Sequence, residues 1–487
     1  MTPEDGPGFP RRRRALEVAA LLAMAAIVGY QTIVPPPVGL ADNGDFARLA
    51  GPMGLRSTIR DPAARYFAYL LPGFRLGAPW WESRYGTSES IPIVLARAAG
   101  GLLSKSGFVD VRAFGAVNGL FALAGVALLL AASRPWRLSA RILFAVLVVA
   151  MYGDVGYAAP MNSLFSQTAS LWTFLFLAAF TLLAIDRPTP VALWGYWIAA
   201  LLFVTAKPQE VVQAPVLAVL GGGLTARGGG AASRRWRPWA IGAGLCLAAG
   251  IYFLRIPPTI SGPGMHNEVF VEILGQSPDP AADLRELGLP AGWAEYRGLN
   301  PHDPKSPYAD PAFRTELFRR VGPERLIAFW ARHPRRAAAL VRRCLHGALR
   351  MRPPELGNFR QIDGMPPGAQ SAAFSVWSGI KNRGASRSLR WIAAVLLAGA
   401  LAGIRLAGRR DPAMRGRGAA LIVLVAMASV ELIVPVFAQG AWGIERVLFG
   451  FHAMFDFCVI ALVLLAARLF APAAGPRAAA LPAGPPP

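Results

Sequence analysis

Residues 11–34, with the sequence RRRRALEVAALLAMAAIVGYQTIV, decide the fold class. The apolar part of this stretch, from Leu16 to Val34, is long enough to cross a bilayer as a helix. Because positive charge stays on the cytoplasmic side, the four arginines predict that the chain leaves the cytoplasm here. We expect a retained anchor, since the run exceeds the apolar core of a usual signal peptide, although the small residues at 39–41 would also suit cleavage.

Composition extends this interpretation to the whole chain. Of its 487 residues, 54% are hydrophobic and only 16% are charged, which is typical of a polytopic membrane protein. The formal net charge is +22, but the arginines cluster at the ends of apolar runs, and no basic stretch carries interleaved aromatic residues. Nucleic acid is therefore not an expected partner. The three cysteines have neither the spacing of a metal site nor that of a small disulfide scaffold.

The apolar runs predict an all-α polytopic membrane protein with about ten transmembrane helices. The predicted spans are residues 15–34, 111–132, 141–157, 163–185, 191–206, 208–225, 237–256, 388–407, 418–437 and 449–470. Arginines gather in alternate connections between these runs. By the positive-inside rule, they predict a multi-pass protein of the bacterial cytoplasmic membrane with both termini in the cytoplasm.

The same pattern divides the chain into four parts. We expect an N-terminal transmembrane module (1–256) with a long first outer loop (35–110), an outer loop domain (257–387), C-terminal transmembrane helices (388–470) and a disordered tail (471–487). The first outer loop contains a predicted membrane-parallel helix, residues 91–104. In the outer domain, Asp279-Pro280 is typical of a helix start.

A basic amphipathic helix is predicted from Pro334 to about residue 350 in the outer domain. Leu340, Cys344 and Leu345 form its apolar stripe, and Arg342 and Arg343 lie on the opposite face. Such a helix suits the membrane surface, with the basic side toward the lipid headgroups. The alternative is an ordinary amphipathic helix packed on the domain. Either arrangement would place positive charge near lipid phosphates.

Residues 42–46, DNGDF, follow the first span directly and bring two carboxylates to the outer face of the membrane. Water-soluble substrates and lipid headgroups meet at this face. The position therefore favours acid or base chemistry by Asp42 and Asp45 on a lipid-linked substrate. The alternative is that Asp-Asn-Gly simply closes a turn with its own side chains.

Further polar groups are predicted at the same outer side, at the ends of other spans. They are Asp154, Tyr157 and Asn162, then Lys207 and Glu210, then Glu445, Arg446, His452 and Asp456. Each has a plain alternative, since Asp154 suits a turn and Lys207 and Glu210 suit an ion pair. A transporter would instead keep its ionisable groups near the bilayer midplane. Their shared location therefore favours a site at the membrane surface.

Six stretches together resemble a known family. They are DNGDF (42–46), GY-x(4)-NS (156–163), AKPQE (206–210), HNEVFVEILGQSPDPAADLRELGLP (266–290), PPELGNF (353–359) and ERVLFGFHAMFD (445–456). This order is similar to that in the bacterial integral-membrane hexosyltransferases of cell-surface glycan biosynthesis, within the GT-C glycosyltransferase class. The resemblance runs from about residue 40 to residue 460. Two positions depart from the family pattern: Val447 stands where histidine is common, and Gln167 where glutamate is common.

The resemblance implies a helical-bundle enzyme that moves a hexose from a polyprenyl-phosphate carrier to a glycan or glycolipid acceptor. An acidic residue of the first outer loop would act as the base, and we assign that role to Asp45. Asp42 would orient the base or bind sugar hydroxyls, and the two roles are interchangeable at this stage. Lys207 and Arg446 would stabilise the leaving phosphate.

The other expected contacts with the sugar or the acceptor are made by Asp154, Tyr157, Asn162, His266, Glu445 and His452. The expected partners are the lipid-linked sugar donor, the glycan acceptor and membrane lipids. No organic cofactor is expected; a divalent metal would suit the converging carboxylates, but no coordination set is defined. The alternatives are a glycan polymerase or ligase that uses diphosphate-linked donors, or a transporter of lipids or sugars.

Overall fold

The computed structural model describes residues 9–80, 86–103, 106–228, 237–384 and 387–467. The predicted disordered tail lies outside the described residues. The α-helices are α1 Phe9–Thr32, α2 Ala47–Ala50, α3 Pro62–Arg65, α4 Ser90–Leu103, α5 Val111–Ala132, α6 Leu138–Tyr152, α7 Val155–Ala158, α8 Gln167–Asp186, α9 Pro190–Val204, α10 Ala214–Gly228, α11 Arg237–Leu254, α12 Pro258–His266, α13 Pro280–Leu287, α14 Pro311–Arg320, α15 Pro323–Arg332, α16 Pro334–Leu345, α17 Val376–Arg383, α18 Ser388–Ala407, α19 Pro412–Gln439, α20 Ile444–Val447 and α21 Phe449–Ala466.

Several helices begin where the sequence provides a capping carboxylate. Asp110 accepts a hydrogen bond from the backbone N–H of Arg112 at the start of α5, and Asp411 caps α19 in the same way. Asp279 caps α13, whose first residue is Pro280, as the sequence predicted. These carboxylates bind backbone N–H groups that have no partner inside the helix, and proline has no N–H to leave unpaired.

Six helices in the described part of the chain are long and apolar enough to cross a membrane. They are Arg14–Thr32, Val111–Ala132, Gln167–Asp186, Ser388–Ala407, Pro412–Gln439 and Phe449–Ala466. The number rises to eight if each of two bent pairs is one span, namely Leu138–Tyr152 with Val155–Asn162 and Pro238–Leu254 with Pro258–Ile273. The chain is therefore mostly helical, as predicted, but the prediction of ten spans is not confirmed.

The two missing spans are those predicted at 191–206 and 208–225. The first is the shorter helix α9, which ends at Val204. The second begins with a 3₁₀ segment, Pro208–Gln213, and only then becomes the helix α10. Pro208 breaks the continuous run because its ring disfavours helical geometry at the preceding residue, which leaves Lys207 extended.

The basic ends of several helices meet on one side of the bundle. Glu17 in the first half of α1 pairs with Arg134, in the connection from α5 to α6, and with Arg141, in the first turn of α6. Asp186 at the end of α8 pairs with Arg417 near the start of α19 at 2.9 Å. The guanidinium carbon of Arg417 also lies 5.8 Å from the centre of the Trp136 ring. Arginine-rich connections therefore share one side, as the positive-inside pattern requires.

The first loop region, residues 35–110, contains a feature that an all-α prediction missed. Strands β1 Leu55–Ser57, β2 Gly73–Leu76 and β3 Phe108–Asp110 form an antiparallel sheet in the order β1-β2-β3. Phe74 on β2 packs edge-on against Phe114 of α5. The sheet thus fixes the loop region on the membrane helices. Its strands have only three or four residues each, which is too short for a recognisable alternating pattern.

The second loop region lies within residues 257–387, and its described part contains several helices and docks on the first loop region. Residues 353–359 run beside the segment that precedes Asp42. The backbone N–H of Ala41 donates to the carbonyl of Gly357 at 2.9 Å, and the Asn358 amide donates to the carbonyl of Gly39 at 2.8 Å. A side chain at Gly357 would meet the Ala68 carbonyl oxygen at 2.0 Å. This close approach explains why glycine occupies position 357.

Candidate active site

Asp45 lies where the first loop region meets the start of the last membrane helix. One carboxylate oxygen, Oδ2, lies 2.8 Å from Nη1 of Arg446, and the other, Oδ1, lies 3.0 Å from Nη2 of Arg48. Burial alone would raise the pKa of Asp45. The guanidinium groups of Arg48 and Arg446 lower it, with further contributions from Asn43 and His302, and the net pKa lies below its ordinary value. Asp45 is therefore an ionised carboxylate between two arginines.

Asp42 has a different environment, and its side chain makes the turn. Its Oδ1 accepts hydrogen bonds from the backbone N–H groups of Gly44 at 2.7 Å and Phe46 at 3.2 Å. Gly44 has a φ of 98°, which suits glycine. Asp42 is almost fully buried, and this burial raises its pKa to about 6. The turn interpretation thus describes Asp42, whereas Asp45 presents its carboxylate to other groups.

Arg446 is placed by the short helix α20 and by an aromatic pair. Gly443, with a φ of 64°, precedes this helix. The Arg446 guanidinium lies 5.0 Å from the centre of the Phe165 ring, and Phe165 packs edge-on against Phe46, the neighbour of Asp45. The backbone carbonyl of Arg446 accepts a hydrogen bond from Gln167, one of the two positions that depart from the family pattern.

Lys207, predicted as a phosphate ligand, lies beneath α20. Its ammonium donates to the backbone carbonyl of Val447 at 3.3 Å, and the amide of Gln209 donates to the same oxygen at 3.2 Å. Gln209 also donates to Glu431 at 2.7 Å. Lys207, Glu210 and Glu431 are all buried. The structure therefore places Lys207 near Arg446, but the Lys207 ammonium binds a backbone carbonyl at the end of α20.

Glu445 lies on the other side of α20 and contacts the second loop region. Its carboxylate is 3.4 Å from Arg350 Nη1. Glu355, from the PPELGNF stretch, is close enough for the charges of Glu445 and Arg446 to act on its carboxyl group. His302 from the same region lies close enough to Asp45 to act on its charge. Both loop regions therefore contribute ionisable groups around Asp45 and Arg446.

The remaining predicted contacts are engaged inside the protein. Asp154 caps α7 and accepts the backbone N–H of Ser378 at 2.9 Å. The Tyr157 hydroxyl donates to Asp456 at 2.6 Å. The Asn162 amide donates to the carbonyls of Thr32 and Val38, both at 2.8 Å. These hydrogen bonds connect helices and loops. A structural role therefore suffices to explain Asp154, Tyr157 and Asn162.

The two histidines are also buried. His452 lies 3.2 Å through Nε2 from the backbone carbonyl of Arg350. His266 lies 3.3 Å through Nε2 from the Ser306 hydroxyl and packs against the rings of Phe270 and Tyr308. The HNEVFVEILG stretch that begins at His266 forms a buried π-helical turn, Asn267–Ile273. The first part of 266–290, the longest of the six stretches that carry the resemblance, is therefore packed inside the protein.

Sequence reasoning missed four residues of this site: Arg48, His302, Arg350 and Glu355. Arg48 follows Asp45 by three positions, the spacing that joins side chains on one helical turn, so its pairing had a signal. Glu355 stood inside a quoted stretch, PPELGNF, without an assigned role. His302 and Arg350 carried no sequence signal, because only the docking of the second loop region brings them near.

In the described part of the chain, one group of side chains has the spacing of a metal site. It lies in the second loop region and does not include Asp45. Ligand atoms of Asp283, Glu286 and His333 lie within 4.8 Å of one another. Arg336 already pairs with Asp283 at 2.8 Å, and Arg332 pairs with Glu286 at 3.1 Å. These cations neutralise the carboxylates that a metal ion would need. The group therefore fits an ion-pair network better than a metal centre.

Comparison with known proteins gives one result on the family. The family model described as the YfdI N-terminal transmembrane domain matches residues 10–472. No curated protein and no solved structure matches the chain. Together with the candidate spans, this match makes the chain a multi-pass membrane protein.

Proposed function

The chain belongs to the family of the YfdI N-terminal transmembrane domain, and from that membership and the site around Asp45 we propose that it is a glycosyltransferase. The enzyme moves a hexose from a polyprenyl-phosphate carrier to a glycan or glycolipid acceptor. The observation that carries the proposal is the 2.8 Å pair between Asp45 and Arg446. It places a carboxylate base beside a cation suited to phosphate, where a loop region meets the membrane helices.

Orientation in the membrane supports this function. The arginine-rich connections share one side of the bundle, marked by Glu17, Arg134 and Arg417. The positive-inside rule assigns that side to the cytoplasm, so the two loop regions and Asp45 face outward. In this proposal the protein lies in the bacterial cytoplasmic membrane. The catalytic first loop (35–110), the outer domain (257–387) and the C-terminal helices (388–470) all contribute residues to the proposed site.

The reaction needs one bond to form and one to break. The Asp45 carboxylate takes the proton from the acceptor hydroxyl, whose oxygen then forms a bond with the anomeric carbon of the hexose. The bond from that carbon to the phosphate oxygen breaks, and its electron pair stays on the departing polyprenyl phosphate. A positioned base contributes about 10²–10⁴-fold to such a step.

Arg446 gives the site a way to couple donor binding to the base. In the structure its guanidinium is engaged by Asp45, which keeps that carboxylate a weak base. The donor phosphate is a diester with one negative charge and offers bidentate acceptor oxygens, so it competes for the same guanidinium. Its negative charge grows as the polyprenyl phosphate departs, which strengthens that contact. When Arg446 turns to the phosphate, Asp45 keeps Arg48 as its ion-pair partner but loses the effect of Arg446, and it becomes a stronger base. Glu355, Glu445 and His302 lie near Asp45 and Arg446, and we assign them to contacts with the sugar and the acceptor.

A donor comparison tests the function. Membranes that contain the protein are supplied with a lipid-linked glycan acceptor and a panel of labelled hexoses, each carried on polyprenyl monophosphate. A parallel series carries short oligosaccharides on polyprenyl diphosphate. We expect label transfer from a monophosphate donor only. Transfer from diphosphate donors alone would make the protein a polymerase or ligase, and transfer from neither, with label crossing the membrane, would make it a transporter.

A further inference from the structure

A second basic cluster lies where the second loop region enters the membrane. It adjoins the Glu445 side of the Asp45 site, because a Cβ at Gly347, the residue after His346, would lie 3.7 Å from Glu445 Oε1. A cavity of about 270 Å³ is lined by Arg342, His346, Arg387, Ser388, Leu389 and Arg390. It lies between α16 and the first turn of the membrane helix α18. The Ser388 hydroxyl accepts the backbone N–H of Leu349 at 3.2 Å, which holds the two sides of the cavity together.

Within the described residues, the positive charges of the cavity arginines are not neutralised by carboxylates. In the described part of the chain, no carboxylate forms an ion pair with Arg342, Arg387 or Arg390. The neighbouring Arg343 differs, because it pairs with the buried Glu272. Arg343 therefore serves the fold, whereas the three cavity arginines concentrate charge that an anion from outside would offset.

The position of the cavity relative to the membrane identifies the kind of anion. Ser388 is the first residue of a helix that is long and apolar enough to span a bilayer. Trp391 and Leu389 in its first turn are 55% and 47% exposed, so they face lipid. Tryptophan at the end of a span lies at the level of the headgroups. The cavity therefore opens at the depth where lipid phosphates lie.

We propose that this cavity binds the phosphate headgroup of an anionic membrane phospholipid, through residues that have no part in the proposed reaction. Arg342, Arg387 and Arg390 surround the phosphate, and Leu389 and Trp391 contact the upper acyl chain. The bound lipid ties the second loop region to the membrane helix α18. The proposal does not depend on the reaction at Asp45.

Lipid retention by the full-length protein tests it. The protein is purified in detergent, delipidated, and titrated separately with phosphatidylglycerol, phosphatidylcholine, an isoprenoid phosphate and inorganic phosphate. Binding is followed by native mass spectrometry. We expect saturable binding of phosphatidylglycerol that weakens by about 10- to 30-fold in R387Q/R390Q, because each arginine near an anionic lipid surface contributes about a few-fold in affinity. The control R60Q/R285Q removes the same charge from exposed positions elsewhere and retains binding.

The remaining outcomes overturn the proposal. Equal weakening in both double variants would mean diffuse attraction to the whole basic protein. Equal binding of phosphatidylcholine would remove the selectivity for an anionic lipid. Preferential binding of the isoprenoid phosphate would make the cavity part of the donor path, and binding of inorganic phosphate alone would make it a site for a soluble anion. If R387Q/R390Q unfolds without lipid, R342Q, on the other side of the cavity, replaces it in the same comparison.

Discussion

Asp45 and Arg446 come from opposite ends of the chain and meet at 2.8 Å between Oδ2 and Nη1. Asp45 lies in the loop after the first span, and Arg446 precedes the last helix. Their contact joins the N-terminal and C-terminal parts of the bundle at one point. It also bears on the proposed reaction, because Asp45 is a poor base while Arg48 and Arg446 lower its pKa.

The first prediction concerns the base. Asp45→Asn keeps the size of the side chain but cannot accept a proton, so we expect transfer from the polyprenyl-phosphate donor to fall by about 10²–10⁴-fold. Initial rates in membranes at matched expression measure this. Asp61→Asn is the matched control, because Asp61 is an exposed carboxylate of the same loop that only caps α3. Normal transfer by Asp45→Asn would remove Asp45 from the mechanism.

The second prediction separates the two arginines that contact Asp45. Each holds the pKa of Asp45 down, so Arg48→Gln and Arg446→Gln should both move the acid limb of the pH–rate profile to higher pH. Only Arg446→Gln should also weaken stabilisation of the departing phosphate. We expect its kcat/KM to fall by about 10²–10³-fold, as for other lost contacts to a developing anion.

A third variant, Arg446→Lys, and the comparison of Arg48→Gln with Arg446→Gln provide the controls for this prediction. Arg446→Lys restores the positive charge without the bidentate geometry and should recover part of the loss. If Arg48→Gln lowers kcat/KM as much as Arg446→Gln, the arginines act only through Asp45. Direct stabilisation of the phosphate by Arg446 would then be wrong.

The third prediction concerns Asp42 and stability. The folded protein raises the pKa of Asp42 to about 6 from an ordinary 3.8, so it favours the protonated form. The resulting stability is fully present below about pH 4 and is lost as the pH rises through 6. Asp42→Asn keeps the oxygen that accepts the backbone N–H groups of Gly44 and Phe46 but avoids the buried charge.

We therefore expect Asp42→Asn to gain stability relative to wild type as the pH rises from 4 to 6. The gain should reach about 3 kcal/mol above pH 6, since one pKa unit corresponds to about 1.4 kcal/mol. Thermal unfolding in detergent at pH 4 to 8 measures it. Transfer activity should be close to normal, unlike that of Asp45→Asn. A difference in stability that does not change with pH would contradict the assignment of a buried carboxyl with a raised pKa.

How far the sequence predicted this molecule depends on the range of the interactions. The spans α1, α5, α8, α18, α19 and α21 follow from long apolar runs, which are local signals. The cap of α13 at Asp279 is also local and was predicted correctly. The small sheet was missed, because its three strands are short and pair across distant parts of the loop.

The candidate site shows the same limit. The resemblance predicted that DNGDF (42–46) and Glu445-Arg446 belong to one site, and the structure brings Asp45 and Arg446 into contact. The sequence could not distinguish Asp42 from Asp45, because that choice depends on which carboxylate meets the backbone of the turn. Nor could the sequence show that Lys207 binds a carbonyl of α20. Pro208 predicts a helix break, but it does not predict where the Lys207 side chain points.

The fourth prediction concerns the ion pair that anchors the second loop region to the last membrane helix. Lys381 Nζ lies 2.7 Å from Asp456 Oδ1, and both side chains are almost fully buried. Tyr157 and Trp377 donate to the other oxygen of Asp456, at 2.6 and 2.7 Å. Lys381→Met leaves a buried carboxylate without its cation, so we expect a loss of about 3–5 kcal/mol in the free energy of unfolding.

A second substitution tests whether the unpaired charge causes this loss. In Lys381→Met/Asp456→Asn the amide oxygen still accepts hydrogen bonds from Tyr157 and Trp377, but no charge remains, so the double variant should be more stable than Lys381→Met alone. Lys305→Met is the control, because Lys305 is an exposed lysine of the same loop region. Thermal unfolding of the purified protein compares the three. If the double variant is as unstable as Lys381→Met, the lysine contributes through packing against Phe455 and Trp377 rather than through its charge.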